Sequence, residues 1–518
     1  MMPEKNNDSQ VATTAATTTP DLEIPAESCL IEQTPKPCSL VIVGASGDLT
    51  QRKLIPAIYH LFKKGALPDP FLIIGCSRTE ITDQGFRDKI REALSERNDI
   101  DMSQWDAFAP SLHYQPVQYD DPASFKNFAG YLKKLDKESG TLGNRIFYLA
   151  IPPSLYPSTA KMLGKAGLSK GGNRGKGWAR IVVEKPFGRD LATAIDLDQA
   201  LHQYFQEKQI FRIDHYLAKE TVQNILMFRF ANAIFEPIWN RRYINRVDIT
   251  AAEILGVEHR AGYYEEAGVL RDMFQNHMMQ LLALTAMDPP SRFKADRVRD
   301  EKVRVYRALR PFPVEQTEDY LILGQYGAGT LNGKRVPAYR DEQGVSPDSL
   351  TPTFARMKLF LDNWRWQGVP FYLTSGKRLA HKNTQVSIQF KEVPHALFRD
   401  TLGDEIQANH LILGIYPDEK ITLTFQTKNP GAKMCLRSVT MDFNYSQSYT
   451  GPVLDAYEKV LLDCMLGDQM LFWRQDGVEL CWSFLTPILI ECESCRNRAQ
   501  NLLLYEAGSW GPVPFKGL

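Results

Sequence analysis

The run Ser39-Leu40-Val41-Ile42-Val43-Gly44-Ala45-Ser46-Gly47-Asp48-Leu49-Thr50 changes character at Gly44. Before it, the apolar residues are continuous rather than alternating, which suits a strand buried on both faces of a parallel sheet. After it, Leu54, Ile58, Leu61 and Phe62 recur at helical spacing, and Gly65 stands where a helix would be capped. A second apolar run, Phe71-Leu72-Ile73-Ile74-Gly75, follows. Strand, helix and strand within about 40 residues make a βαβ unit.

The turn between strand and helix is Gly44, Ala45, Ser46, Gly47, Asp48, Leu49. Its glycines permit a tight turn, and the helix N-terminus offers free N–H groups and a positive dipole end to a phosphate. The G-x-G-x-x-G pattern is not met strictly: G-x-x-G is present and Thr50 stands where a third glycine would fall. Alone, the motif also reads as a plain connection. Its place after a buried strand and before an amphipathic helix favours a dinucleotide site. The second strand then ends Gly75-Cys76-Ser77-Arg78-Thr79, with no carboxylate before Glu80. A carboxylate there selects NAD through the ribose hydroxyls, whereas a cation suits a 2′-phosphate. Arg78 therefore points to NADP, against the alternative of a solvated surface arginine.

Outward from this unit, Ile146-Phe147-Tyr148-Leu149-Ala150 and Ile181-Val182-Val183-Glu184 are further strands, with amphipathic stretches at 85–97 and 122–135. The rhythm then changes. Helical segments at 219–235 and 265–288 flank a strand at 246–257, and strands recur at 354–359, 385–390, 408–415 and 420–427. Consecutive strands without intervening helices imply an antiparallel sheet. The expected fold class is α/β followed by α+β. A Rossmann-like dinucleotide-binding domain at 37–213 precedes a larger substrate-binding and oligomerisation domain at 214–518, whose mainly antiparallel sheet is flanked by helices. Residues 1–36, rich in Thr and Pro, read as a disordered leader. No internal repeat is present.

At 518 residues the chain can bury a full core without disulfide or metal staples. Lys and Arg total 61, as do Asp and Glu, so nonspecific binding to nucleic acid or an anionic membrane is not expected. Any anionic ligand needs a local basic cluster. Eight cysteines are too few for a disulfide scaffold, and Cys492 and Cys495 form a C-x-x-C with no second pair, so no metal site is expected. Without a signal peptide or an apolar run long enough to span a bilayer, the expectation is a cytoplasmic protein with no membrane partner.

Four clusters carry chemistry. Asp214-His215-Tyr216-Leu217-Ala218-Lys219 packs an acid, an imidazole, a phenol and an amine together. If the stretch is helical, His215 and Lys219 share a face and can clamp a dianion, although a structural Asp-His pair is the commoner case. His277 lies among Met273, Phe274, Met278 and Met279. That setting equally fits a buried core histidine, or a general base once a carboxylate orients its far nitrogen. Thr374-Ser375-Gly376-Lys377-Arg378-Leu379-Ala380-His381-Lys382 reads as a basic loop between strands, and Glu184-Lys185-Pro186-Phe187-Gly188 as a rigid or cis turn delivering an amine into a cleft.

Taken together, GASGDLTQRKLIPAIYHL, NRIFYLAIPP, EKPFG, FRIDHYLAKE, ILGVEHRAGYYEEAGVLRDMFQNHMMQ and VPFYLTSGKRL resemble, in order and spacing, the glucose-6-phosphate dehydrogenase family. The resemblance runs from about residue 39 to the closing GSWGP, and that ending is more similar to the bacterial branch than to the animal one. It implies oxidation of glucose 6-phosphate at C1 to the 6-phosphogluconolactone, with hydride passing to NADP, in a homodimer or homotetramer. His277 then matches the general base and Asp214 its orienting carboxylate. His215, Tyr216 and Lys219 match the 6-phosphate site, Glu253 and Asp272 bind sugar hydroxyls, and Lys377 and Lys382 line the substrate pocket. Lys185 lies between substrate and cofactor, and Pro186 belongs to a hinge. Gly44 to Gln51 match the phosphate-binding turn, and Arg78 the 2′-phosphate contact.

Two residues depart from the family pattern. Ala218 replaces a glycine in the phosphate motif, harmless unless its φ is positive. Thr50 replaces the usual alanine after Gly-Asp-Leu, with no effect assignable from sequence. A different Rossmann-domain sugar oxidoreductase leaves the His215/Lys219 cluster unexplained. A dead sensor or scaffold would be expected to have lost His277 or Asp214.

Overall fold

In the computed structural model, residues 34–170, 177–393, 406–432, 435–444 and 453–512 are described. Residues 1–33 of the expected leader lie outside them. The first apolar run forms β1 (Cys38–Val43) and the second β2 (Phe71–Cys76), every residue of both being buried. With β3 (Leu112–Tyr114), β4 (Arg145–Leu149), β5 (Ala179–Val183) and β6 (Ile210–Arg212) they make a six-stranded sheet in the order β3-β2-β1-β4-β5-β6. Every pairing in it is parallel. This is the doubly wound order, and it opens a crevice at the carboxyl ends where the winding reverses, between β1 and β4.

Helices cover both faces of this sheet. The helix Pro122–Ser139 starts at an Asp121 cap and stops at Gly140 in the left-handed region, four residues beyond the 122–135 stretch. The helix Ala456–Leu466, far along the chain, returns to this first domain. Its Val460 and Leu461 pack in one core with Leu40 and Ile58, and Arg180 on β5 donates to the carbonyls of Cys464 and Met465.

The second sheet has nine strands: β7 (Ile244–Ala252), β8 (Leu321–Gly327), β11 (Phe354–Leu359), β12 (Phe371–Gly376), β13 (Asn383–Phe390), β14 (His410–Tyr416), β15 (Lys420–Lys428), β16 (Leu436–Asn444) and β17 (Leu502–Glu506). Between β8 and β11, β9 (Gly329–Leu331) and β10 (Lys334–Val336) form a separate hairpin. The antiparallel expectation holds except at two joints: β7 runs parallel to β12, and β8 parallel to β17. Each parallel joint brings together segments more than a hundred residues apart, so no local pattern announces it.

Three local expectations need correction. The span 265–288 is not one helix: Ala261–Val269 breaks at Gly268 (φ 58°, ψ 179°), Leu270–Met278 is a π-helix, and Met279–Ala286 is α-helical. His215 to Lys219 is a turn, with helix beginning only at Glu220, so the shared-face argument for His215 and Lys219 fails. Thr374 to Gly376 is the end of β12, leaving only Lys377 onward as a connection.

Candidate active site

The cofactor end is built by backbone. Gly44 sits at φ 95°, and a Cβ there would lie 2.3 Å from the Ala150 carbonyl oxygen at the end of β4, so only glycine fits. A Cβ on Gly75 would lie 2.9 Å from that of Ala45, so β2 and the turn approach closely because Gly75 has none. No side chain caps the helix that follows, which leaves its first N–H groups for an anion. Thr50, the departure from the family pattern, is buried and donates its hydroxyl to the Gly44 carbonyl at 3.2 Å, locking the turn. Ser46 donates to Ser77, whereas Asp48 turns outward to Arg52. Leu49 packs against the core that holds Leu40 and Ile58, and Gly47 closes the turn by donating to the Gly44 carbonyl. Arg78 is exposed at the end of β2, with its guanidinium 6.0 Å from the centre of the Tyr119 ring. An uncapped helix start and a tight glycine turn fit the phosphates of a dinucleotide.

The chemical end lies at the carboxyl ends of β5 and β6. Lys185 follows β5 in a cis Lys185–Pro186 peptide, and Asp214 follows β6. His277 meets them from the π-helix. In an α-helix, Asp272 and His277, five residues apart, would face directions roughly 140° apart. The wider i→i+5 winding of a π-turn brings them towards one face. Lys185 Nζ is accordingly 3.1 Å from each of Asp272 Oδ1, the Asp272 carbonyl and His277 Nε2. The other imidazole nitrogen, Nδ1, lies 2.6 Å from Asp214 Oδ1, which also accepts from the Tyr216 N–H. The Tyr216 ring stacks on the imidazole with centroids 4.0 Å apart.

These contacts fix the protonation pattern. Burial pushes the Asp214 carboxyl up, but the His277 imidazole more than offsets this and holds it down at about 2. Burial likewise opposes the charge on Lys185, and Asp272 restores it, leaving the ammonium above its ordinary range. The same ion pair, with help from Lys377, keeps Asp272 ionised despite its burial. Burial pushes His277 below the ordinary histidine value, with Asp214 opposing and Lys185 assisting. With its charged form disfavoured, His277 donates Nδ1–H to the Asp214 carboxylate and turns Nε2 to the Lys185 ammonium.

The remaining site residues lie around this array. Glu253 follows β7 and Lys377 follows β12. Because those strands are parallel and Gly376 pairs with Ala252, the two side chains emerge together, with Lys377 Nζ 2.6 Å from Glu253 Oε2. Lys219 and Lys382 flank one ring that sequence reasoning missed: their Nζ atoms lie 5.0 and 4.1 Å from the centre of Tyr416. Burial lowers Lys219, and the Lys382 charge lowers it further. His215 stands with its ring 5.1 Å from His277 and is held neutral, at about 3, first by burial and then by the neighbouring cationic groups. Ala218 is buried and not in the left-handed region, so its methyl packs without backbone strain. Tyr263, which donates to Asp272 Oδ1 at 3.3 Å, and Tyr457, whose ring stacks 6.3 Å from His215, also went unrecognised. A lone tyrosine in a sequence carries no signal of what it faces.

Comparison with known proteins bears on the family and the fold. Residues 41–224 match the glucose-6-phosphate dehydrogenase NAD binding domain, and residues 226–518 the C-terminal domain of the same family. The chain is 46% identical over 476 residues to a glucose-6-phosphate 1-dehydrogenase of Aggregatibacter actinomycetemcomitans, covering 92% of this chain and 94% of that one. It is also 46% identical over 481 residues to that of Treponema pallidum, covering 92% of both. Among solved structures, a glucose-6-phosphate dehydrogenase in complex with glucose 6-phosphate superposes with a TM-score of 0.84 at 33% identity, covering 93% of this chain and 96% of that one. The enzyme from Mycobacterium avium superposes at 0.78 and 32% identity, covering 92% and 96%. The chain belongs to the glucose-6-phosphate dehydrogenase family.

Proposed function

We propose that this chain oxidises D-glucose 6-phosphate at C1 to 6-phospho-D-glucono-1,5-lactone with NADP as acceptor, the first step of the oxidative pentose phosphate pathway. Family membership makes it an oxidoreductase that uses a nicotinamide dinucleotide. The single observation that carries the mechanism is the pairing of His277 Nδ1 with the Asp214 carboxylate at 2.6 Å. Nδ1–H is committed to Asp214, so the lone pair of Nε2 faces Lys185 and is the one basic site the imidazole offers. A sugar hydroxyl placed there gives its proton to Nε2, and Asp214 stabilises the imidazolium that results. Bound nicotinamide supplies the carbon that accepts the hydride. Lys185, between the carboxyl end of β5 and Asp272, orients the reacting groups and keeps Nε2 unprotonated through its charge.

Lys219 and Lys382, with His215 and Tyr216, take the 6-phosphate. Two cations about one ring are relieved by a dianion, which also favours protonation of His215. Glu253, Asp272 and Lys377 take sugar hydroxyls. Arg78 takes the 2′-phosphate and so favours NADP over NAD. No helix among the described residues is long and apolar enough to cross a membrane, and we place the protein in the cytoplasm as a homodimer or homotetramer. The test is the near-ultraviolet absorbance of the reduced cofactor, with glucose 6-phosphate or glucose, and NADP or NAD. A fast rise only with the phosphorylated sugar, faster with NADP, is expected. Equal rates with glucose would remove the phosphate site, and no rise from folded protein would remove the activity.

A further inference from the structure

β3 is a three-residue edge strand, and its last residue, Tyr114, pairs with Gly75 two positions before Ser77. The Tyr114 ring is buried against Phe86, with centroids 5.3 Å apart. Its hydroxyl makes two short bonds: it donates to the Thr79 carbonyl at 2.7 Å and lies 2.7 Å from Ser77 Oγ. A carbonyl only accepts, so the phenol hydrogen is spent on Thr79 and Ser77 must be the donor to Tyr114. Ser77 Oγ in turn accepts from the Thr79 N–H at 3.2 Å and from Ser46 Oγ at 3.3 Å. The Ser77 carbonyl accepts from Val117 N–H at 2.9 Å.

Both backbone groups of Thr79 and both oxygens of Ser77 are thus tied down, and the residue between them is Arg78. The exposed guanidinium of Arg78 rides on a turn fixed at each end. The same relay reaches Ser46 in the turn after β1, so one buried hydroxyl joins that turn to the one that carries Arg78.

We propose that Tyr114 is a positioning residue for the cofactor's 2′-phosphate: by fixing Ser77 and Thr79 it sets the place of Arg78, and with it the preference for NADP over NAD. The proposal rests on the reading of Arg78 given above. Tyr114→Phe keeps the ring and its packing, removes the hydrogen bond to Thr79, and leaves the Ser77 hydroxyl buried without its acceptor.

The experiment is initial-rate kinetics on the full chain at saturating glucose 6-phosphate, varying NADP and NAD separately, for wild type, Tyr114→Phe and Arg78→Ala. Tyr114→Phe is expected to raise KM for NADP by roughly three- to tenfold, the loss of about one hydrogen bond, while KM for NAD and both kcat values stay within about twofold. A general structural defect would move both cofactors together, so an equal rise, or none, overturns the proposal. Arg78→Ala separates the failures. If it weakens NADP selectively while Tyr114→Phe does not, the positioning role alone is wrong. If it weakens both cofactors equally, the 2′-phosphate reading falls and the proposal falls with it. Should Tyr114→Phe fold poorly, Ser77→Ala cuts the same relay at its centre and must give the same split between cofactors.

Discussion

Replacing Asp214 by Asn isolates the charge that supports the proposed base. The amide can present its oxygen where Asp214 Oδ1 now accepts from His277 Nδ1–H and the Tyr216 N–H. Geometry and tautomer can therefore persist, and the other carboxylate oxygen, Oδ2, is buried without a partner, so no bond is lost there. What disappears is the attraction between the carboxylate and the imidazolium that forms when the substrate proton is taken. Unit charges with centres about 4 Å apart interact by about 4 kcal/mol at an effective dielectric of about 20. At about 1.4 kcal/mol per tenfold, kcat should fall by roughly three orders of magnitude. An amide that flips and stabilises the wrong tautomer makes the loss larger, about 10⁴-fold for the equivalent change in a Ser-His-Asp triad.

The pH profile supplies a second reading of the same variant. A base acts when neutral, and burial holds His277 below the ordinary histidine value of about 6.5, so the acid limb of kcat/KM in the wild type lies below that pH. Asp214 is the main group that raises His277 against burial and Lys185, with Asp272 adding to it. Its loss should move the limb to still lower pH. Steady-state rates from about pH 5 to 9, with thermal unfolding to confirm folding, check both statements. A loss of less than tenfold, or a limb that moves upward, would refute the assignment of Asp214 as the charge partner of His277.

Other consequences follow from buried charge. Burial pushes the ammonium of Lys302 down to about 7, with Asp214 opposing. Between about pH 7 and 10 the unfolded chain therefore holds a proton there that the native protein lacks, so stability should rise with pH through that window. Lys302→Met should abolish the rise and raise the denaturation midpoint at pH 7; parallel pH dependences in the two proteins would contradict this. His215→Asn and Lys219→Thr should each raise KM for glucose 6-phosphate by tenfold or more and leave KM for the dinucleotide within about twofold, because a partly desolvated charged contact is worth about 1.5–3 kcal/mol. Unchanged affinity in both would place the phosphate elsewhere.

Much of the nucleotide domain was legible because its strands are buried on both faces and so write continuous apolar runs: Leu40 to Val43, Phe71 to Ile74 and Ile146 to Leu149 all lie in β1, β2 and β4. β3 and β6 were missed, since three residues carry no periodicity, yet these strands position Tyr114 and Asp214. The candidate site was legible as residue types but not as geometry. Nothing local distinguishes an α-helix from the π-turn that aligns Asp272 with His277, because the same apolar residues are buried either way. The pairing of Glu253 with Lys377 depends on the parallel joint of β7 and β12, which is a property of topology. Tyr416 is marked out only by the two lysines that the fold brings to its ring.

The most direct test of the account is His277→Asn in the full chain, with turnover of glucose 6-phosphate measured alongside equilibrium binding of that sugar. If Nε2 of His277 takes the proton of the C1 hydroxyl, kcat falls by several orders of magnitude and the dissociation constant for glucose 6-phosphate changes by no more than about threefold. A folded variant that retains more than about a tenth of the wild-type kcat would contradict the central claim and make His277 a buried structural histidine.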